Sequence, residues 1–538
     1  MKYVSVAEMI AVEKESHASG HTYDHMMEHA GRGLAEFIDQ IYADLSKKRI
    51  LGLVGSGNNG GDTLVALSYL ADWGWQTTAY IVSPRPPDDS LTKRAVKAGS
   101  TLLDAKDDPQ FKDLASSLSD HAVVMDGIFG TGIRLPLRGQ AAEVLAWINR
   151  TLLEMDSLPH IVAVDCPSGV DCDNGEAAPE CIPASFTVTM AAVKQGLLTF
   201  PAFNYVGDLH CVNIGLPDGL PAYTALQREV IDAQWVQRVL PDRPLDAHKG
   251  TFGTALVVAG SLNYTGAALL SGEAAYRSGA GLVTLGVPAP LHTALAGQLP
   301  EVTWLLLPHD LGVVSVDAVK VLREHLERVT ALLIGPGFGV ETTTGEFIAR
   351  LLGAGQNKVQ TDIGFLDSKK KSLPASAELP PLVIDADGLK LLANISDWPS
   401  QLPASTILTP HPGEMAVLTG LPAAEIQSHR LEIAEKFAAQ WGHILVLKGA
   451  HTIIASPDGR TAIIPVASPA LARAGTGDVL AGLIVGLRAQ GLDAFEAAAA
   501  GAWIHAQAGL LAADVLGSTA AVLAGDLLSA LVDVLADL

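Results

Sequence analysis

The sequence has no excess of basic residues and few cysteines. Its 538 residues include 36 lysines and arginines against 58 aspartates and glutamates, and the formal net charge of −22 repels nucleic-acid backbones and anionic lipid surfaces. We therefore expect no nucleic-acid partner and no membrane partner, and any phosphate site must be local. The four cysteines show the spacing of neither a zinc site nor a disulfide framework, which predicts a reducing, cytoplasmic location.

The sequence also lacks a signal-peptide pattern and an apolar run long enough to cross a bilayer. Glu8 and Glu13 stand where a signal peptide needs an unbroken apolar stretch. The most apolar late segment, 497–513, contains His505 and Gln507 and predicts a buried helix. Apolar residues are abundant, at 49% of the chain against 17% charged residues, so we expect two or more folded domains with large cores.

Two α/β patterns follow one another along the chain. From Arg49, apolar runs such as RILGLVG and HIVAVDC alternate with amphipathic segments, as in a doubly wound parallel sheet, and SFTVTMAAV, TFPAFNYVG and LHCVNIGLP predict its last strands. After LPDGLP, a second mostly parallel pattern begins, in which HTIIASPDGRTAIIPV predicts a hairpin. In the N-terminal helices, Met26, Ala30 and Leu34 recur at helical spacing and predict core packing. Residues 356–380 fit neither period and predict a solvated loop.

A glycine-rich turn follows the first strand of the N-terminal pattern. In LGLVGSGNNGGD, Gly55, Gly57, Gly60 and Gly61 allow positive φ angles and close backbone approach, and the next helix offers unpaired NH groups to an anion. A second glycine turn at residues 130–132 is placed to contact a second phosphate. The spacing fits neither a dinucleotide fingerprint nor a nucleoside-triphosphate loop, so a turn required only for packing stays an alternative.

Oxygen-bearing side chains follow three of these strands. Asn59, Asp126 and Ser168 offer an amide oxygen, a carboxylate and a hydroxyl, which suit an alkali or alkaline-earth cation. The carboxyl ends of the strands in a doubly wound sheet meet at its ligand crevice. Asp165 is then available as an acid/base residue. Either aspartate alone could equally cap a helix, so the prediction depends on the agreement of the three strand ends.

The motifs GSGNNGGD, MDGIFGTG and AVDCPSG together resemble the NAD(P)H-hydrate epimerase domain, over roughly residues 1–220. The resemblance implies a Rossmann-like fold that interconverts the R and S forms of nicotinamide cofactors hydrated at C6. It also implies that Asp165 is the catalytic acid/base and that potassium (K⁺) is bound by Asn59, Asp126 and Ser168. The implied contacts to the hydrated cofactor are Asn58, Asn59, Gly60, Gly61 and Asp62 in one loop, and Gly130, Thr131, Gly132, Ile133, Arg134, Leu135 and Pro136 in the other.

The C-terminal pattern contains a phosphoryl-transfer arrangement without a Walker lysine. In ARAGTGDVLAG, the backbone NH groups of residues 475–477 can surround a phosphoryl group, and Asp478 is placed to take a proton from an attacking hydroxyl. A helix-capping role for Asp478 is the alternative. The segment LKGAHT offers Lys448, backbone NH groups and the Thr452 hydroxyl to nucleotide phosphates.

The segment TPHPGE ends another strand and presents His411 and Glu414 towards the same edge. With HKGTFG, GPGFG, VIDADGL, LKGAHT and AGTGDVLAG, it resembles the ADP/ATP-dependent NAD(P)H-hydrate dehydratases, which have a ribokinase-like α/β fold, over roughly residues 230–538. The resemblance implies that ADP, or ATP, phosphorylates the hydrate and that phosphate is then lost. The implied roles are Asp478 as base; Lys448, Gly449, Ala450, His451, Thr452 and Gly477 around the nucleotide; Ala267, Gly337 and His411 against the hydrate; and Glu414 organising Mg²⁺.

The two resemblances together predict a bifunctional repair enzyme. Its small-molecule substrates would be hydrated NADH and NADPH (NADHX and NADPHX), with ADP or ATP as phosphoryl donor, and a homo-oligomer is expected. One alternative is a ribokinase-like small-molecule kinase with an N-terminal nucleotide-sensing domain, and another makes the N-terminal half a catalytically silent binding module. HPGE favours the dehydratase, and Asp165 with the three cation ligands argues against a silent module.

Overall fold

The computed structural model describes residues 1–353 and 379–538. The chain forms two compact units, Met1–Arg228 (unit 1) and Glu229–Leu538 (unit 2). Residues 356–378 of the predicted solvated loop lie outside the described residues.

Unit 1 is built from short parallel strands alternating with helices. Its strands are β1 (Tyr3–Val4), β2 (Arg49–Val54), β3 (Gln76–Ile81), β4 (Thr101–Asp104), β5 (Val123–Gly127), β6 (His160–Val164), β7 (Phe186–Met190), β8 (Val193–Lys194) and β9 (Asp208–Val212). Its helices are α1 (Val6–Ala18), α2 (Tyr23–Ile41), α3 (Asn58–Asp72), α4 (Ser90–Ala98), α5 (Lys112–Asp120), α6 (Gln140–Glu154), α7 (Phe203–Val206) and α8 (Pro221–Thr224).

Seven of these strands form one parallel sheet in the order β4-β3-β2-β5-β6-β7-β9. The inner strands are buried on both faces; in β2, for example, Ile50 packs into one apolar cluster and its neighbour Leu51 into another. The doubly wound fold is confirmed. Since the strand order reverses between β2 and β5, the carboxyl ends of these two strands flank the crevice where such sheets bind ligands.

The predicted strand TFPAFNYVG is wrong. Residues Gln195–Leu198 form a 3-10 helix and Phe203–Val206 form the short helix α7. Pro201 within this run has no NH group to donate to a strand ladder, and β9 begins directly after Gly207. The run is apolar enough for a strand, but its proline prevents regular strand pairing.

Unit 2 contains a larger, mixed sheet. The strands in this part of the chain are β10 (Arg228–Val230), β11 (Thr254–Val258), β12 (Leu282–Pro288), β13 (Thr303–Leu307), β14 (His309–Asp310), β15 (Val313–Val314), β16 (Ala331–Ile334), β17 (Leu382–Ile384), β18 (Ile407–Leu408), β19 (Ile444–Leu447), β20 (Ile453–Ala455) and β21 (Thr461–Ile463). The helices are α9 (Ala233–Val239), α10 (Gly266–Arg277), α11 (His292–Leu295), α12 (Ala318–Arg323), α13 (Thr342–Leu351), α14 (Asp387–Leu392), α15 (Trp398–Gln401), α16 (Pro412–Thr419), α17 (Ala423–Ser428), α18 (Arg430–Trp441), α19 (Thr476–Ala489), α20 (Ala494–Leu516) and α21 (Ala524–Ala536).

Ten strands form this sheet in the order β10-β21-β20-β19-β18-β17-β16-β11-β12-β13. The pairs from β13 to β19 are parallel, whereas β19, β20 and β21 pair antiparallel, so the predicted hairpin is confirmed. The order reverses between β11 and β16. The carboxyl ends of β16, β17, β18 and β19 therefore open on one side of the sheet, where a ligand is expected.

Small residues let two helices of unit 2 approach closely. A Cβ atom on Gly482 of α19 would lie 2.2 Å from the Ser271 carbonyl of α10, and one on Gly486 would lie 2.6 Å from the Ala275 carbonyl. The alanine-rich α20 is buried over most of its length, as predicted. In the described residues, no helix has both the length and the apolar character needed to cross a membrane.

Candidate active sites

A cavity of about 230 Å³ lies at the carboxyl edge of the unit 1 sheet. Its walls come from α1, α2, the start of α3, and the segments that follow β5, β6 and β7. Among its lining residues are Asn58, Asn59, Asp62, Thr131 and Asp165, all of them predicted from the sequence. The cavity is also lined by Met26, Met27 and Ala30 of α2, together with Glu13 and Lys194. The N-terminal helices therefore line the cavity as well as contributing to the core.

Asp165 lies at the centre of this site and forms a buried ion pair. It follows β6 with a φ of 66°, in the left-handed region, and its Oδ1 accepts hydrogen bonds from Lys194 Nζ, from Thr189 Oγ1 at 3.1 Å and from Met190 NH at 2.9 Å. Although burial opposes its charge, the nearby Asp165 carboxylate raises the pKa of Lys194. Sequence reasoning missed this lysine, and the available signal was a single cation placed directly after the apolar run TMAAV.

Two further carboxyl groups face the ion pair. Burial raises the pKa of Asp62 well above its ordinary value, and the neighbouring Asp165 and Glu13 charges raise it further. Burial also raises the pKa of Glu13; the charge of Lys194 opposes that shift and the charge of Asp165 adds to it. The cavity thus places two carboxyl groups, each with a pKa raised by burial, beside a lysine-paired aspartate.

The three predicted cation ligands are close together. Asp126, which is completely buried, accepts hydrogen bonds from Ser168 Oγ at 2.5 Å and from Ser168 NH at 2.8 Å. Asn59 Nδ2 donates to the carbonyls of Phe129 and Val164. Burial raises the pKa of Asp126, and its side chain forms no ion pair with a cationic residue in the part of the chain that is described. A buried carboxylate that is bonded to a serine and has no cationic partner in the described residues supplies the kind of oxygen ligand that an alkali or alkaline-earth cation takes.

Two glycines of the first turn, Gly55 and Gly60, allow close approach of the backbone and not a positive φ. A Cβ atom on Gly55 would lie 1.9 Å from the Ile128 carbonyl, and one on Gly60 would lie 2.1 Å from the Gly55 carbonyl. None of Gly55, Gly57, Gly60 and Gly61 has a positive φ, so that part of the prediction is wrong. In the second loop Thr131 lines the cavity, whereas Gly132, Arg134 and Pro136 are exposed to solvent.

In unit 2, a buried lysine joins the ends of three strands. Lys448, after β19, donates to Asp385 Oδ1 at 2.7 Å and lies 3.7 Å from Glu414 Oε2. Asp385 follows β17 and also accepts a hydrogen bond from Thr409 Oγ1, after β18, at 2.7 Å. Burial opposes the charge of Lys448, but the Asp385 and Glu414 carboxylates raise its pKa overall. The sequence motif VIDADGL contained Asp385, yet sequence reasoning gave it no role.

Asp478 faces this cluster from the first turn of α19. The helix is capped by Gly475 at a φ of 90°, and the side chain of Asp478 does not cap it. Burial, helped by the negative charge of Asp385 and opposed by Lys448, raises the pKa of Asp478 to about 7. A carboxyl group with this pKa can accept a proton near neutral pH, and the capping bond that was the alternative is not formed. His505 Nε2 donates to the Thr476 carbonyl at 2.9 Å and fixes the same turn.

The other predicted residues of unit 2 lie around the cluster in different ways. A Cβ atom on Gly477 would lie 3.4 Å from Lys448 Nζ, and one on Gly337, whose φ is 63°, would lie 2.8 Å from the Cβ of Ala267. His411 Nδ1 accepts the NH groups of Gly413 and Glu414 and so caps α16. A structural role for His411 therefore accompanies any ligand contact.

The LKGAHT segment forms a closed turn after β19. The Thr452 hydroxyl donates to the Gly449 carbonyl at 3.0 Å and accepts the Gly449 NH at 3.3 Å. His451 is buried with a φ of 51°, and Ala450 is exposed. The turn holds Lys448 in place, and the Thr452 hydroxyl must exchange these bonds to reach a phosphate.

Comparison with known proteins covers both units. Residues 255–532 match the family described as NAD(P)H-hydrate dehydratase, and residues 23–196 match the YjeF-related protein N-terminus. The bifunctional NAD(P)H-hydrate repair enzyme of Moorella thermoacetica is 39% identical over 95% of this chain and 92% of its own, and that of Thermofilum pendens is 33% identical over 96% and 93%. The crystal structure of an ADP/ATP-dependent NAD(P)H-hydrate dehydratase from Bacillus subtilis, co-crystallized with ATP/Mg²⁺, is 31% identical over 58% of this chain and 99% of its own, with a TM-score of 0.46.

The family matches lie in the same order as the two sites. Relatives of the same two-part kind are matched over nearly the whole chain, which favours the repair enzyme over a kinase with a sensing domain. The chain belongs to the family of bifunctional NAD(P)H-hydrate repair enzymes.

Proposed function

We propose that residues 1–220 interconvert the R and S epimers of NADHX and NADPHX, and that residues 230–538 dehydrate the S epimers with ADP or ATP as phosphoryl donor. The observation that carries this proposal is the pairing, in each unit, of a lysine with a carboxylate at the carboxyl edge of the sheet; the lysine side chain is 2% exposed in unit 1 and 16% exposed in unit 2. Each pair has a proton-transferring carboxyl group at or beside it. Two such sites in one chain suit two steps on one small molecule.

In unit 2, Asp478 takes the proton from the C6 hydroxyl of the hydrate as that oxygen attacks the terminal phosphorus of the nucleotide. The NH groups of the Gly475 to Gly477 turn stabilise the charge on the transferred group. Lys448 neutralises phosphate charge while Asp385 and Glu414 hold its ammonium group in position. Loss of the phosphate from C6 with a proton from C5 then restores the double bond of the reduced cofactor.

In unit 1, Asp165 acts as the acid/base residue that exchanges a proton with the oxygen bound to C6 of the hydrate. Lys194 orients its carboxylate and compensates its buried charge. Asn58 and Asp62 at the start of α3, together with Thr131, line the same cavity and would contact the nicotinamide end of the substrate. The remainder of the 130–136 loop would contact the parts of the substrate that lie nearer to solvent.

Two cations complete the proposal. Asn59, Asp126 and Ser168 would hold K⁺, because the buried Asp126 carboxylate is bonded to Ser168 and lacks a cationic partner in the described residues, and Asn59 is bonded to the Phe129 carbonyl in the segment after the same strand. When bound, K⁺ would stabilise negative charge at that strand end. In unit 2, Asp385 and Glu414 supply the carboxylate oxygens that Mg²⁺ prefers when it accompanies nucleotide phosphates. A reducing cytoplasmic location fits the four free cysteines, and we propose a homo-oligomeric assembly.

The test is an incubation of the full-length protein with a mixture of NADHX epimers and ADP, in which 340 nm absorbance measures recovery of NADH. Complete recovery is expected, because epimerisation converts the R form into the S form that the dehydratase uses. Recovery of half of an equal mixture would remove the epimerase from the proposal. No recovery with either ADP or ATP would remove the dehydratase.

A further inference from the structure

Helix α1 is attached to the strand that carries the buried lysine of unit 1. β1 pairs in parallel with β8, and this register places Val4 opposite Lys194. One residue after β1, Ser5 begins α1 with a capping box that it shares with Glu8, and Val6 NH donates to Asp173 Oδ1 at 2.7 Å. These contacts fix the position of α1 relative to the ion pair.

Glu13 extends from this helix into the cavity. It lines the same space as Asp24, Asp62, Asp165 and Lys194, which are the charged groups facing it from α2, α3 and the segments after β6 and at β8. In the described structure its carboxylate forms no hydrogen bond and no ion pair. A half-buried carboxyl group that faces a site without a protein partner is available to a ligand.

We propose that Glu13 is a second catalytic residue of unit 1, which donates a proton to the C6 hydroxyl of the hydrate while Asp165 accepts a proton from the water that replaces it. This inference rests on the epimerase function proposed above. It assigns a chemical role to a helix that the sequence pattern predicts as core.

The step balances with these two groups alone. Glu13 protonates the C6 hydroxyl, the C6–O bond breaks, water leaves, and the N1 lone pair forms a C6=N1 double bond. Water then adds to the opposite face of C6, the electron pair returns to N1, and Asp165 takes the proton released by the new C6–O bond. Exchange with solvent returns a proton to Glu13 and removes one from Asp165, and the reverse reaction uses the two residues in exchanged roles.

The surroundings of the two carboxyl groups favour this division of labour. Asp165 accepts three hydrogen bonds, one of them from an ammonium group, whereas Glu13 accepts none in the described structure. Burial raises the pKa of Glu13, which keeps it protonated to higher pH. Carboxyl groups whose environments differ in this way commonly act as acid and base in one site.

The test compares the full-length protein with its Glu13→Gln and Glu13→Asp variants, using purified R-NADHX without nucleotide and chromatography to follow the S epimer. We expect Glu13→Gln to lower kcat by about 10²-fold or more, with a smaller effect on KM. The fall in the wild-type rate at high pH, where Glu13 ionises, should disappear. Glu13→Asp should keep that fall and lose about tenfold in rate. Lys14→Gln, on the exposed side of the same helix, should match the wild type.

Each other outcome has a defined meaning. A wild-type rate or an unaltered pH profile in Glu13→Gln would overturn the role of Glu13, as would loss of the high-pH fall in Asp62→Asn alone. A wild-type protein that does not interconvert the epimers would instead overturn the proposed epimerase function. Thermal unfolding provides the fold control, since removing an unpartnered carboxylate should not destabilise the protein. Should Glu13→Gln not fold, a wild-type rate in Glu13→Asp would overturn the proposal.

Discussion

At the scale of single residues, each unit places a lysine where burial alone would disfavour its charge. Lys194 and Lys448 each contact an aspartate that follows a strand, Asp165 or Asp385. A buried pair of this kind contributes little net stability, but removing one member leaves an uncompensated charge in the interior. Replacing one member of such a pair is therefore expected to cost more stability than replacing both.

The first prediction concerns the Lys194 pair. Lys194→Met should lower the free energy of unfolding of unit 1 by about 3–5 kcal/mol, because Asp165 remains buried without its cation. Urea denaturation followed by circular dichroism measures this change. Replacing both residues, as Lys194→Met with Asp165→Asn, should recover part of the loss, because asparagine carries no charge and tolerates the φ of 66°. The control is Lys48→Met, which breaks the more exposed Lys48–Asp39 pair and should cost about 1 kcal/mol or less; an equal loss in both single variants would contradict the prediction.

The second prediction concerns the base of unit 2. Asp478→Asn should lower the nucleotide-dependent dehydration rate by about 10²- to 10⁴-fold while epimer exchange persists. The wild-type rate should rise with pH through about 7, because Asp478 must be ionised to act as base and its pKa is about 7. Stopped-flow absorbance at 340 nm gives the dehydration rate and its pH dependence, and chromatography of the epimers follows their exchange. Asp514→Asn, an exposed position on α20, is the control.

The same pKa shift gives a stability prediction of known sign. Because the pKa of Asp478 is higher in the folded protein than its ordinary value of 3.8, folding disfavours the ionised form. The associated loss of stability is absent below about pH 4, develops between pH 4 and 7, and is complete above pH 7. Asp478→Asn should therefore be more stable than the wild type at pH 8 and equal to it at pH 4. Thermal unfolding at the two pH values tests this, and a variant that is less stable at pH 8 would show that the carboxylate is favoured by the fold.

At the scale of elements, the sequence predicted those whose pattern is long and regular. The strands β2, β3, β5, β6 and β7 and the glycine turn before α19 follow from buried apolar runs and from punctuation by glycine, whereas the short, partly exposed β4 was not predicted. The pairing of β1 with β8 did not follow, because two residues give no periodic signal. Lys194 was missed for the same reason, since its contact with Asp165 depends on a short strand that returns the chain to the sheet edge.

The third prediction tests the contact between α10 and α19. Alanine is a better helix former than glycine by about 1 kcal/mol, yet Gly486→Ala should destabilise unit 2, because the new Cβ atom would lie 2.0 Å from Ser278 Oγ and 2.6 Å from the Ala275 carbonyl. Gly525→Ala is the matched control, since no atom lies within 4 Å of its added Cβ, and it should raise stability. Thermal unfolding of both variants decides, and two changes of the same sign would contradict the prediction.

At the scale of the whole molecule, the two sites belong to separate compact units that each have their own core. The sequence predicted both folds from their alternating patterns, and the strand-end residues that it singled out in unit 1, such as Asn59 and Asp165, line one cavity. It did not predict Asp385, because an aspartate after a strand is common. What distinguishes Asp385 is its hydrogen bond with Lys448, which lies 63 residues further along the chain. Side-chain partners that come from different strands become visible only when the sheet is assembled.

The fourth prediction follows from this separation. A mixture of Asp165→Asn and Asp478→Asn proteins should recover all the NADH from mixed epimers with ADP, although the Asp165→Asn protein alone recovers only the S share and the Asp478→Asn protein alone recovers none. The substrates are small and diffuse freely between molecules. Absorbance at 340 nm measures recovery, and a mixture that performs no better than its members would show that both sites must be intact in one chain.

The left-handed backbone of Asp165 restricts how this position can change in evolution. Aspartate and asparagine adopt a φ of 66° more readily than other residues with a side chain, and glycine does so freely. A descendant that lost epimerase chemistry but kept the domain would therefore be expected to carry asparagine or glycine here, and valine or isoleucine would be rare. The residue at this position would then distinguish relatives that keep the epimerase activity from relatives that have lost it.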